Sequence, residues 1–164
     1  MSICIAVSGG TDSLYAMASL REAGERCIAL HAVFLPPELR TADHGEMLGR
    51  LRACCTALDI PLYIEDLVEP FGQAVIEPFV SGYARGDTPN PCALCNAAIK
   101  FGLLMDSARE KGAELLATGH YARLEKMPDT HDMPALYAGT DSGKDQSYFV
   151  SLVPADRLAG ALFP

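Results

Sequence analysis

The chain has 164 residues, with 13 Lys+Arg against 21 Asp+Glu and a formal net charge of -8. That length holds one domain with a real core, and 49% hydrophobic with 21% charged residues excludes an intrinsically disordered chain. The acidic balance excludes a broadly basic nucleic-acid binder, though not a local basic patch.

In chain order, residues 3–7 form a short apolar run that predicts a buried parallel strand. The turn Ser8-Gly9-Gly10 follows. Leu14, Met17, Ala18 and Leu20 then recur at helical spacing until Gly24 stops the helix. Residues 27–35 predict a second strand, closed by Pro36-Pro37. Met47, Leu51, Cys54, Cys55 and Leu58 give a helix over 46–58, and Leu62-Tyr63-Ile64 gives a third strand. This β-α-β-α-β order predicts a parallel sheet with right-handed crossovers. Residues 67–98, rich in proline and glycine, read as an insertion with one irregular helix over 71–84 and an ordered loop over 86–96. A helix over 99–111 and a fourth strand over 115–118 lead to Gly119-His120. A polar hairpin loop over 123–133, a strand over 136–138 and helices over 146–150 and 155–162 complete the prediction. No apolar run approaches the ~20 residues of a membrane-spanning helix. The first residues run straight into a strand without a charged leader, so the expectation is a cytoplasmic protein with no membrane partner. The apolar end Ala161-Leu162-Phe163-Pro164 reads as a cut inside a larger protein.

Four of the six cysteines, Cys4, Cys27, Cys54 and Cys55, stand in apolar runs and read as buried free thiols. Cys92 and Cys95 stand in a loop-like context as Cys92-Ala93-Leu94-Cys95. A redox pair, half of a metal site and a covalent catalyst are all open for this CxxC. A zinc site wants four ligands, and His44, Asp87, His120 and His131 have no spacing that recommends them. Cys95 lies just before the helix predicted from 99, where a helix N-terminus favours thiolate.

Ser8-Gly9-Gly10-Thr11-Asp12-Ser13 lies between a strand and a helix that begins near Ser13. Two glycines let backbone N–H groups approach an anion, and the helix start adds its dipole and free amides. The hydroxyls of Ser8, Thr11 and Ser13 are candidate donors to phosphate. Asp12 would repel phosphate unless a cation lay between them, so Mg²⁺ held by Asp12 is the physical reading. No Gly-Lys-Ser/Thr follows, so this is not a Walker A loop.

The SGGxDS pattern resembles the pyrophosphate loop of the ATP pyrophosphatase superfamily, which splits ATP between its α and β phosphates. Thr88-Pro89-Asn90-Pro91-Cys92-x-x-Cys95-Asn96 followed by Ile99-Lys100-Phe101 is similar to a motif of the tRNA-specific 2-thiouridylase family. So are Ala117-Thr118-Gly119-His120-Tyr121-Ala122-Arg123 and Lys144-Asp145-Gln146-Ser147-Tyr148-Phe149. The resemblance covers most of the chain. It implies an α/β, doubly wound parallel sheet of the adenine-nucleotide alpha hydrolase-like (PP-loop) type, spanning residues 1–164. It further implies central and C-terminal tRNA-binding domains outside this chain.

Carried over by position, the family implies ATP contacts at Ala6, Val7, Ser8, Gly9, Gly10, Thr11, Asp12, Ser13, Leu35 and Gly119. It implies contacts with the target base or tRNA at Asn90, Pro91, Cys92, His120, Lys144, Asp145 and Gln146. Cys95 is the implied first catalytic cysteine, and Cys92 is a candidate partner for it within the CxxC. The implied chemistry is ATP-dependent adenylation of uridine, then sulfur transfer at C2 from a cysteine persulfide with a disulfide left behind. It implies tRNA and a sulfur-carrier or persulfide donor protein as partners, and a second catalytic cysteine further along. This chain has Thr11 where the family usually carries valine, Cys92 where many members carry aspartate, and no cysteine after Cys95.

Each choice has a plainer counterpart. His120 reads equally as a capping or core histidine, and Lys144 as a turn lysine. Tyr121, Tyr148 and Phe149 read as core, and Lys100, Arg109, Arg123 and Lys126 as solvated faces. Two alternatives of another class remain at this point: a non-catalytic nucleotide-binding module, and an Fe–S or zinc-binding domain using Cys92 and Cys95.

Overall fold

The computed structural model describes residues 2–126 and 133–164. Five strands make one parallel sheet in the order β3-β2-β1-β4-β7. They are β1 (Ser2–Ala6), β2 (Arg26–Val33), β3 (Leu62–Asp66), β4 (Leu115–Ala117) and β7 (Ala161–Leu162). The chain builds outward from β1 through β2 to β3, then returns to the other side of β1 for β4 and β7. The fold is therefore doubly wound, and its direction of winding reverses between β1 and β4.

Strand alternation divides the core. Ile3, Ile5 and Val7 join Met17 and Leu20 of α1 (Thr11–Glu22) and Leu51 and Cys55 of α2 (His44–Ala57). Cys4 points the other way, into a cluster with Leu30, Phe101, Leu104, Met105, Leu116 and Val150. Both faces of β1 are covered, which explains its unbroken apolar run.

The insertion is more helical than its composition predicts. Residues 68–84 form α3 (Val68–Phe71), a π-helical turn (Gly72–Ile76) and α4 (Glu77–Ala84). The loop expected over 86–96 ends at Asn90, whose Oδ1 accepts the Ala93 amide at 3.1 Å and caps α5 (Pro91–Cys95). Helix continues through a π-helical stretch (Asn96–Leu104) into α6 (Met105–Glu110). Pro91 stands in the first turn of α5, where its missing N–H costs nothing.

Three other expectations are corrected. Residues 122–126 are a strand, β5 (Ala122–Lys126), paired antiparallel with β6 (Pro134–Ala138). Its alternation is Ala122 and Leu124 inward against exposed Arg123 and Glu125. The remainder of the expected hairpin loop, 127–132, lies outside the described residues. Helix over 155–162 stops at α8 (Ala155–Leu158), and Gly160 frees Ala161–Leu162 to pair with β4. A short α7 (Ser147–Val150) precedes it. Cys4, Cys27 and Cys55 are buried as expected, whereas Cys54 is only partly so.

Candidate functional site

The carboxyl ends of β1 and β4 meet where the winding reverses, the usual place for a ligand crevice in such sheets. Beyond β1 the chain turns at Gly9, whose φ of +84° is the left-handed region that glycine occupies without strain. Gly10 caps α1, which begins at Thr11, two residues before the expected start. The first-turn amides of Thr11, Asp12 and Ser13 are those a helix leaves without an intrahelical partner. Ser13 is buried. Its hydroxyl donates to the Gly10 carbonyl at 2.9 Å and accepts the Ser8 amide at 3.2 Å. It therefore braces the turn rather than facing solvent, while Ser8, Gly10, Thr11 and Asp12 are exposed.

The loop after β4 presses on this turn. A Cβ at Gly119 would lie 3.0 Å from the Asp12 carbonyl carbon and 3.1 Å from its Cβ. Two residues on, the Tyr121 hydroxyl donates to Asp12 Oδ1 at 3.0 Å. The Asp12 carboxylate pushes the Tyr121 phenol above its ordinary range.

A cleft of about 610 Å³ opens at this edge. It reaches from the turn (Ala6, Val7, Ser8, Asp12, Ser13) to the end of β2 and Leu35, to Thr118, Gly119 and His120, and to Cys92 and Cys95. Its size suits a nucleotide. Two buried polar atoms lack a hydrogen-bond partner among the described residues, His44 Nε2 and Asn96 Oδ1, and both residues line this cleft. Orphaned polar atoms of this kind mark a place where a ligand or water completes the bonding. ATP fits the residues present. The glycine turn and α1 start would take its phosphates, and Asp12 would hold Mg²⁺, which neutralises phosphate charge. No group of three or more His, Cys, Asp or Glu able to hold a metal occurs among the described residues.

Cys92 is exposed at the cleft, and Cys95 is partly buried in it. Cys95 does not precede a helix: it ends α5 and continues into the π-helical stretch. The expected lowering of its thiol pKa by a helix start is overturned. Burial pushes the Cys95 thiol up, the Lys100 ammonium opposes this, and Cys92 adds to the rise. His120 is set between Phe101 and Phe163, with ring centroids 5.9 and 5.7 Å away. Burial, then the Lys100 charge, lowers its imidazole to about 3. Its Nδ1 lies 2.7 Å from Thr118 Oγ1 and its Nε2 3.4 Å from Lys100 Nζ.

The structure brings some of the sequence-predicted residues together and not others. Ala6, Val7, Ser8, Asp12, Ser13, Leu35, Cys92, Cys95, Gly119, His120 and Gln146 share the cleft. Gly9, Gly10 and Thr11 shape the turn behind it. Asn90 and Pro91 build the start of α5 instead. Asp145 accepts the Gly139 amide at 2.8 Å and the Ser147 hydroxyl at 2.8 Å, a joint within the loop. Lys144 is exposed, with Nζ 5.3 Å from the Tyr121 ring centroid.

Sequence reasoning missed Lys100, His31 and Asn96. Lys100, a solvated face by its sequence setting, lines the cleft. His31 is buried within β2 with Nδ1 2.8 Å from the Val7 carbonyl, so Nδ1 carries the proton. A histidine amid the apolar residues of a central strand was the available signal. Asn96 is buried, its Nδ2 donating to the Phe149 carbonyl at 2.8 Å.

A family model described as the tRNA methyl transferase HUP domain matches residues 1–164. The chain is 50% identical over 165 residues to a tRNA-specific 2-thiouridylase MnmA of Oleidesulfovibrio alaskensis, covering 100% of this chain and 46% of that one. It is 48% identical over 168 residues to the protein of that name in Lawsonia intracellularis, covering 100% and 45%. The chain thus spans about half the length of these curated relatives. Among solved structures, the U34-tRNA thiolase NcsA from Methanococcus maripaludis with its [4Fe-4S] cluster shares the fold. That match has a TM-score of 0.51 and 22% identity, over 73% of this chain and 38% of that one. A doubly wound sheet with its cleft at the β1–β4 reversal, matched over residues 1–164 by the family model, shows that the chain belongs to the family of the tRNA methyl transferase HUP domain.

Proposed function

We propose that this chain is the ATP-using, sulfur-transferring domain of an enzyme that converts the wobble uridine of tRNA to 2-thiouridine. The observation that carries the reading is one cleft lined by both the phosphate-binding turn and Cys95. Uridine O2 is a poor leaving group, so it must first attack the α-phosphorus of ATP, releasing pyrophosphate and leaving an adenylate at C2. The amides of the Gly9-Gly10 turn and α1 bind and orient the phosphates, and Asp12 would keep Mg²⁺ against them. A persulfide sulfur then attacks C2 and AMP departs. The Cys95 thiolate attacks the carrier cysteine's sulfur, forming a disulfide and leaving the transferred sulfur on the base. The carrier cysteine, the surfaces that grip tRNA and the protein that delivers the persulfide belong outside this chain. The reading implies a cytoplasmic enzyme, since its substrate is tRNA.

The test is made on the full-length protein. Pyrophosphate release from ATP is measured with and without unmodified tRNA, and digested tRNA is assayed for 2-thiouridine by mass spectrometry. The expected result is tRNA-dependent release matched by thiouridine when a persulfide donor is supplied. Nucleotide binding without tRNA-dependent release would instead mean a non-catalytic binding module.

A further inference from the structure

Cys92, Cys95, Asn96, Lys100 and Leu104 all line the cleft from one helical stretch. In an α-helix, five residues turn the chain so that positions 95 and 100 would stand about 140° apart. The stretch Asn96–Leu104 is π-helical, and its i→i+5 bonding brings the fifth residue back toward the face of the first. Gly102 allows the kink there, since a Cβ would lie 3.1 Å from the Ala97 carbonyl oxygen. The result is a lysine that lines the same cleft as two thiols.

The Lys100 ammonium has a neutral neighbour in His120. The ammonium is a donor only, so Nε2 accepts from it. Nδ1–H then donates to the hydroxyl of buried Thr118. Lys100 makes none of the carboxylate ion pairs found among the described residues. A partly buried ammonium without a counter-ion is costly. Cys95 and Cys92 on its own helix and His120 from the loop after β4 are the titratable groups acting on it. Asp12, His31, Arg40 and His44 are the cleft's other titratable or charged groups.

We propose that Lys100 is the positioning residue that offsets the burial of Cys95: its ammonium is the counter-ion available when Cys95 ionises to act as a sulfur nucleophile, and His120 with Thr118 holds it at that cleft. Lys100 is already an ammonium, so the proton of the Cys95 thiol leaves to solvent, and the pair passes from a net charge of +1 to 0. The two titrate as one coupled unit. The inference deepens the reading of Cys95 as the sulfur-handling residue, and its test needs neither ATP nor tRNA.

In the full-length protein, the rate of iodoacetamide alkylation at Cys95 is followed against pH by peptide mass spectrometry. Lys100→Met is expected to raise the midpoint by about one unit, a roughly tenfold slower reaction near neutral pH. Lys100→Arg restores the charge and the rate to within about threefold of wild type. Superimposable profiles for wild type and Lys100→Met would overturn the proposal, even if ATP affinity fell. Should Lys100→Met not fold, the Lys100 titration is read by carbon NMR in wild type and in Cys95→Ser. Loss of the thiolate should lower the Lys100 midpoint by about one unit, and an unchanged midpoint overturns the pairing. A Lys100-dependent profile in a protein that forms no thiouridine would leave this inference standing and remove the functional reading.

Discussion

The hydroxyl of Tyr121 donates to Asp12 Oδ1 at 3.0 Å, joining residues 109 positions apart in the chain. It ties the loop beyond β4 to the first turn of α1, across the reversal of the sheet. Tyr121→Phe deletes this tie and leaves the aromatic ring. Mg·ATP affinity, measured by calorimetry, is expected to weaken by roughly threefold, with little change in Tm, because one exposed hydrogen bond is lost. Equal affinity in the variant would mean that the carboxylate needs no such tether.

Gly119→Ala is expected to be more severe. The added Cβ meets backbone atoms of Asp12 at 3.0 and 3.1 Å, and backbone cannot swing aside as a side-chain end can. Displacing the turn should weaken ATP by roughly tenfold or more while the folded sheet survives. Equilibrium dialysis with ATP, beside a thermal melt, separates lost binding from lost folding.

Cys95→Ser keeps the turn and α1 intact but removes the sulfur. Thiouridine formation should fall by at least roughly a hundredfold, while ATP binding stays within about twofold. Quantifying the modified nucleoside and the nucleotide affinity on the same preparation reads both. Thiouridine formation surviving in Cys95→Ser would refute the assignment of this thiol.

His120 makes stability depend on pH. Burial first, then Lys100, holds its imidazole at about 3 in the folded protein, against an ordinary 6.5 when unfolded. The unfolded chain therefore binds the extra proton between those values. The stability present above pH 6.5 is lost as pH falls toward 3. By about pH 5 the loss attributable to this group is on the order of 2 kcal/mol. Denaturant titrations of wild type and His120→Gln at neutral and mildly acidic pH should show a smaller drop in the variant. Equal drops would mean that the histidine is accessible to protons.

Gly102→Ala tests the π-helical stretch. Its Cβ would crowd the Ala97 carbonyl at 3.1 Å, so the backbone must shift. A destabilisation of about 1–3 kcal/mol is expected. Slower Cys95 alkylation should accompany it if the turn aligns Lys100.

Much of the fold is written in short-range pattern. The apolar runs of β1 and β2, the Ser8-Gly9-Gly10 turn and the spacing of α1 and α2 carry burial and turning in a few adjacent residues. Those local rules place the Ser8-Gly9-Gly10 turn after the first strand and imply a parallel sheet. They fail where the deciding partner is distant or the signal too short. Ala161–Leu162 has no periodicity to read, and only pairing with β4 makes it a strand. Asp145 and Asn90 are polar residues in familiar motifs, yet both side chains bond backbone amides nearby. Lys100 is the sharpest case. Ordinary helical spacing turns it away from Cys95, and the change to i→i+5 bonding returns it to the cleft. Composition and spacing decide which faces are buried, because burial follows local periodicity. Which charge meets which thiol, and which hydroxyl meets which carboxylate, depends on backbone departures and contacts between remote segments that no local pattern records.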